Sequence, residues 1–183
     1  MKNRIIITVA LAITIISCNQ KNKQEETVKI ESTSEVVTQS SFSIDEIVKN
    51  YLAIKNSLAN DDSDAAADAG KALLETMAKT SMEKVSADQM EAYMSISDDA
   101  KEHAEHIGSN AGKIDHQREH FVMLSKDMND LIQLFGTSQK LYLDFCPMAD
   151  DNKGAVWISE TKEITNPYFG KDMATCGSIK KEF

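Results

Sequence analysis

Between Ser43 and Gly136 apolar residues recur at helical spacing in four successive runs, after which the period changes; no other feature limits the fold of this chain so strongly. Ser43-Ile44-Asp45-Glu46 has a capping-box pattern, and Ile44, Ile47, Val48, Tyr51, Leu52 and Leu58 carry a first helix to about Ala59. Asn60-Asp61-Asp62-Ser63 supplies a turn and a new N-cap. Ala66, Gly70, Leu73, Leu74 and Met77 then carry a second helix with an Ala-rich, closely approachable face. Ser86-Ala87-Asp88-Gln89 repeats the capping pattern, and Met90, Tyr93, Met94, Ala100, Ala104 and Ile107 run a third helix up to Gly108, read as its stop. A linker through Asn110 and Gly112 leads to the fourth, which begins near Ile114 or Asp115, carries Phe121, Leu124, Met128, Leu131, Ile132 and Phe135, and ends at Gly136. Short connections and one apolar face per helix predict a mainly α fold, an antiparallel four-helix bundle over 43–136.

Beyond Gly136 the pattern is that of strands. Leu141, Leu143 and Phe145 alternate with Tyr142 and Asp144, Ala155-Val156-Trp157-Ile158 is a short apolar run, and Asp150-Asp151-Asn152-Lys153-Gly154 lies between them as a turn. A small C-terminal β-hairpin lobe over 137–183 follows, packed on the bundle so that 43–183 is one domain. Both prolines, the single tryptophan and two of the three cysteines crowd into Cys146–Gly177. Trp157, Tyr168 and Phe169 are expected to close this lobe over the helices.

At the other end, Lys2 and Arg4 precede an apolar run from Ile5 to Ile16, a signal-peptide pattern over residues 1–17 that is too short for a membrane span. Ile15-Ile16-Ser17-Cys18 resembles a bacterial lipobox, which implies lipidation of Cys18 and anchoring to a membrane. Asn19 after the cysteine favours the periplasmic face of the outer membrane over the inner membrane. Residues 18–42 are polar and read as a flexible tether. With 29 acidic against 20 basic residues the formal net charge is −9, and loss of Lys2 and Arg4 with the signal peptide takes it to −11. Such a balance argues against a nucleic-acid partner and suits attraction of cations.

Two constellations carry candidate chemistry. Cys146 and Met148 form a Cys-x-Met pair and Met173 and Cys176 a Met-x-x-Cys pair; thiolate and thioether are soft donors that favour Cu(I). If the hairpin brings the pairs together, the four sulfurs make a metal site. In an oxidising compartment Cys146 and Cys176 can instead be a disulfide, with both methionines filling core. The second constellation is all four histidines: His103 and His106 near the end of the third helix, His116 and His120 at the start of the fourth, with Met123 one turn beyond His120. The Gly108–Gly112 turn would let the imidazoles converge, and His116-x-x-x-His120 has the spacing with which two rings grip one ion. The alternative is a solvated helix face, on which histidine among Asp115, Arg118 and Glu119 needs no explanation.

No signature of catalysis accompanies them. There is no HExxH, no Gly-x-Ser-x-Gly, no phosphate-binding glycine loop and no dinucleotide fingerprint, and Ser125 and Ser159 read as lone surface or capping hydroxyls. The chain is therefore expected not to be an enzyme.

Gln117-Arg118 with Phe121 and Leu124-Ser125, then Cys146-Pro147-Met148-Ala149, Gly154-Ala155 with Trp157-Ile158-Ser159, Asn166-Pro167-Tyr168-Phe169-Gly170, and Met173 with Cys176-Gly177, resemble a bacterial envelope family of unknown function. That family occurs as small lipoproteins and as a C-terminal domain on periplasmic adaptor proteins of copper and silver efflux pumps. The resemblance covers roughly Ser43 to Ile179. It implies soft-metal binding, Cu(I) or Ag(I), for resistance or hand-off, with Cys146, Met148, Met173 and Cys176 as the positions that carry it and heavy-metal efflux components as partners. The other reading of the same residues is a non-catalytic envelope interaction module stapled by Cys146 and Cys176.

Overall fold

The computed structural model describes residues 42–183, so the signal peptide, Cys18 and the tether up to residue 41 lie outside the described residues. Four helices, α1 (Asp45–Ala59), α2 (Ser63–Lys79), α3 (Ala87–Ser109) and α4 (Ile114–Phe135), precede three strands, β1 (Tyr142–Cys146), β2 (Ala155–Ser159) and β3 (Ser178–Glu182). The fold is the expected mainly α bundle with a small C-terminal β lobe, and the sheet has one strand more than a hairpin. It is antiparallel in the order β2-β1-β3.

Helix starts and stops follow local chemistry, with differences of detail. Within the turn Asn60-Asp61-Asp62-Ser63 it is Asp62 that caps α2, accepting the Ala65 N–H at 2.9 Å. Neither Ser43 nor Ser86 makes the cap bond that its pattern predicts; Ser43 Oγ accepts from the Asp45 N–H at 3.2 Å, and Ser86 Oγ meets the Gln89 side chain at 2.7 Å. Gly136 ends α4 with φ +76 and donates its N–H to Ile132, as a C-terminal glycine should. Gly108 is not a stop. It sits inside α3, where a Cβ would lie 3.1 Å from the Lys71 backbone nitrogen, and a Cβ on Gly70 would lie 2.9 Å from the Gly108 nitrogen. The two glycines let α2 and α3 touch backbone to backbone, and the half of α3 that carries the histidines is fixed by that contact.

Consecutive helices pack against each other, whereas α1 and α4 touch only lightly, and β2 fills the groove between them. Trp157, Phe121, Tyr51, Leu58 and Leu124 are fully buried there, each contributing about 1.5–3 kcal/mol by removal of apolar surface from water. A chain of hydroxyls crosses this core. The Ile158 N–H donates to Tyr51 Oη at 3.0 Å, Tyr51 and Ser125 share a hydrogen bond at 2.8 Å, Ser125 and Tyr168 another at 3.3 Å, and Tyr168 donates to the Val156 carbonyl. Two backbone groups of an edge strand are thus satisfied by tyrosines from outside the sheet, which removes the usual liability of an open edge. Ser125 is buried at the centre of that chain, not a surface hydroxyl.

Strand alternation holds, but its phase is opposite to a simple apolar reading. Tyr142, Asp144 and Cys146 face inward, opposite Ser159, Trp157 and Ala155 of β2, while Leu143 and Phe145 are half-buried. The phase is set by Cys146 and by the cross-strand partner Trp157, and it drags Asp144 into the core with neither carboxyl oxygen hydrogen-bonded. Burial pushes the Asp144 carboxyl up to about 6, against the pull of the Lys55 ammonium. Lys55, itself buried, pairs with Glu160 at 2.8 Å, and Asn56 donates to the other oxygen of that carboxylate at 2.8 Å.

Candidate metal centre

The site forms where α3 turns into α4, and the turn is tied down from three sides. Gln117, fully buried, donates through Nε2 to the Ile107 carbonyl at 3.1 Å and the Ser63 carbonyl at 3.0 Å. Ser63 Oγ donates to Gln117 Oε1 at 2.7 Å and accepts the Gly112 N–H at 2.8 Å. One amide therefore holds the end of α3, the start of α2 and the start of α4 together. His106 stands beside Ile107 and His116 beside Gln117, so the lock on the backbone fixes the roots of the imidazoles as well.

All four histidines converge. Donor atoms of His106, His116 and His120 lie within 4.8 Å of one another, close enough to hold one ion. The His106 and His120 rings stack at 4.1 Å, His116 and His120 meet edge to face at 4.7 Å, and His103 Nδ1 lies 3.2 Å from His120 Nδ1. His116 Nδ1 lies 3.1 Å from the Glu119 carboxylate, one turn along the same helix. An Nδ1–H of His116 donated to the Glu119 carboxylate would leave the Nε2 lone pair of that ring for a metal, and the His103 contact ties the fourth imidazole to His120.

Electrostatics favour the unprotonated form of His120 and His103. Burial, followed by the neighbouring histidines, pushes His120 down to about 4, and burial also lowers His103, partly offset by Glu102 and Asp99. A neutral ring is what a metal needs. The donor set is three imidazoles with a fourth, His103, behind one of them, and it fits zinc, copper or nickel far better than magnesium or calcium, which take oxygen ligands.

The sulfur residues sit elsewhere, in the C-terminal lobe. Cys146 and Cys176 are joined in a disulfide between the end of β1 and the segment before β3. The hairpin does bring the two ends together, and in this oxidised form both sulfurs are bonded to each other. Cys146 is fully buried and Cys176 partly so. Met148 is 48% exposed beside a cleft of about 470 Å³ lined also by Glu119, Val122, Tyr168 and Phe169, and Met173 ends the 3-10 turn Gly170–Met173, half-buried.

A family described as "Protein of unknown function (DUF3347)" matches residues 47–140. The chain belongs to this family. No curated protein and no solved structure matches it. The DUF3347 match takes in α1 from Ile47 onward, all of α2, α3 and α4, every histidine, Gln117, Arg118 and Ser125, and it ends before β1. It therefore spans the histidine centre and not the cysteines.

Four of the motif residues acquire structural roles. Gln117 is the lock described above. Arg118 donates through Nε to the Pro167 carbonyl at 2.9 Å and through Nη2 to the Leu58 carbonyl at 3.0 Å and to Asp61 at 2.7 Å, joining the end of α1 to the C-terminal lobe. The Arg118 hydrogen bond holds the Asp61 carboxyl below its usual range. Gly170, at φ +55, lies against this pair; a Cβ there would meet Asp61 Oδ1 at 1.8 Å. Asn166 shapes the same loop, accepting the N–H groups of Tyr168 and Phe169 and donating to the Cys176 carbonyl. Sequence reasoning passed over Glu119 as a solvated neighbour, although its place three residues after His116 was the available signal.

Proposed function

We propose that this member of the family is a metal-binding protein of the bacterial cell envelope, anchored through Cys18, which holds copper for resistance or hand-off. The observation that carries the reading is the convergence of His106, His116 and His120, with Glu119 against one of them and His103 against another. A solvated face has no reason to gather three imidazoles with donor atoms within 4.8 Å of one another. Copper ranks first because imidazole sites bind it most tightly among the divalent first-row ions. The acidic balance of the chain attracts cations, and the resemblance to envelope proteins of copper and silver efflux supplies the class of partner.

The sulfur set becomes a second, conditional site, available to Cu(I) or Ag(I) only once the Cys146–Cys176 bridge is reduced. That bridge also favours the other reading, a stapled interaction module. The two separate in one titration. The disulfide-intact protein, titrated with Cu(II) and with Zn(II) against a competing chelator, is expected to take one equivalent. A His116→Ala/His120→Ala variant of unchanged helicity should bind neither. Equal binding by both proteins would move the site away from the histidines, and no binding by either would leave the module.

A further inference from the structure

The three-histidine set leaves a coordination position to fill, and the next residue on the same face of α4 is Met123. At 3.6 residues per turn His116, His120 and Met123 fall within an arc of about 60°. Helical side chains lean toward the N-terminus of their helix, so Met123 leans back over the turn that carries His120, as His120 leans toward His116. Met123 is 44% exposed although apolar, and its sulfur has only a 3.6 Å contact from the Lys126 ammonium. Its neighbour Leu124 is fully buried, so the core is already served without it. The side chain has three rotatable bonds and is nearly half exposed, which gives the thioether room to change rotamer.

We propose that Met123 is the fourth ligand of the histidine centre when the bound ion is Cu(I), and that it sets the preference of the site for copper over zinc. This rests on the reading of the histidines as a metal centre. Thioether sulfur is a soft donor that stabilises Cu(I), adds little for Zn(II), and is at most a weak ligand to Cu(II). With His106, His116 and His120 it would give a three-nitrogen, one-sulfur set that needs neither cysteine. The protein would then hold Cu(I) while its disulfide stays closed, as an oxidising compartment requires.

The test uses the purified disulfide-intact protein and its Met123→Leu variant, each given Cu(I) as the acetonitrile complex without oxygen, and separately Cu(II) and Zn(II). Expected is a loss of Cu(I) affinity of at least about tenfold in the variant, since even an outer-shell change at a metal site costs about 10- to 100-fold. Cu(II) and Zn(II) affinities should be unchanged, and the sulfur contribution in copper X-ray absorption should vanish. Equal Cu(I) affinity in the two proteins overturns the assignment while the histidine centre stands. A parallel loss for all three ions also overturns it, by making Met123 a residue of the fold. Failure of the unaltered protein to bind any of the ions removes the histidine centre and Met123 with it.

Discussion

The seam between α3 and α4 and the C-terminal lobe each carry a cluster of metal-binding residue types, and the structure treats them in opposite ways. On the seam the imidazoles are partly exposed, three of them with donor atoms within 4.8 Å of one another, and their backbones are locked by Gln117. In the lobe the two cysteines are bonded to each other beneath the sheet. The seam adds little to folding, since its rings are partly in water, whereas the lobe is held to the bundle by buried aromatic rings and hydroxyls and is closed on itself by one covalent link.

The comparison predicts that lobe changes cost stability and seam changes cost metal affinity. The largest effect is expected from the bridge: Cys146→Ala/Cys176→Ala should lower unfolding stability by about 3–4 kcal/mol, the chain-entropy value for a closed loop of this length. Denaturant melts measure it, and Cu(II) binding at the histidines should persist. A variant that loses the ion along with the bridge would show the two regions to be coupled.

Next comes a pH effect from Asp144. Its folded pKa, about 6, lies above its ordinary value of 3.8, so the folded protein holds the proton more tightly than the unfolded chain. Stability is then greatest below about pH 4 as far as this group is concerned, and falls as pH rises to 6, by about 3 kcal/mol in all. Asp144→Asn should flatten that part of the profile. Asp127 on α4, pushed up to about 7 by burial and by the charges of Asp99 and Asp130, acts in the same direction over a higher range.

Tyr51→Phe leaves the Ile158 N–H and Ser125 without their shared partner and is expected to cost about 1–3 kcal/mol, read from thermal melts. Smallest in energy is Glu119→Ala on the seam. Helicity and melting temperature should stay put while metal affinity drops about 10- to 100-fold, through loss of the carboxylate that orients His116. A drop in stability instead would make Glu119 a structural residue.

Most of the fold was legible in the chain because helices are local. The apolar spacing of α1 to α4 and the positive-φ Gly136 are written within a few residues of where they act. The histidine convergence was legible for the same reason: two pairs at helical spacing on either side of a short turn have few places to go. What was hidden depends on contacts distant in sequence. Nothing local says that Gly108 serves a crossing with Gly70 instead of a stop, that Ser125 lies between two tyrosines, or that Cys146 turns Asp144 inward. The third strand was missed because Ser178–Glu182 is exposed along its whole length and so shows no burial pattern to read.

Copper-edge X-ray absorption on the disulfide-intact protein carrying one equivalent of Cu(II) tests the central claim most directly. The arrangement of His106, His116 and His120 predicts a nitrogen and oxygen first shell with outer-shell scattering from about three imidazole rings. A first shell dominated by sulfur, or one without imidazole scattering, would contradict it.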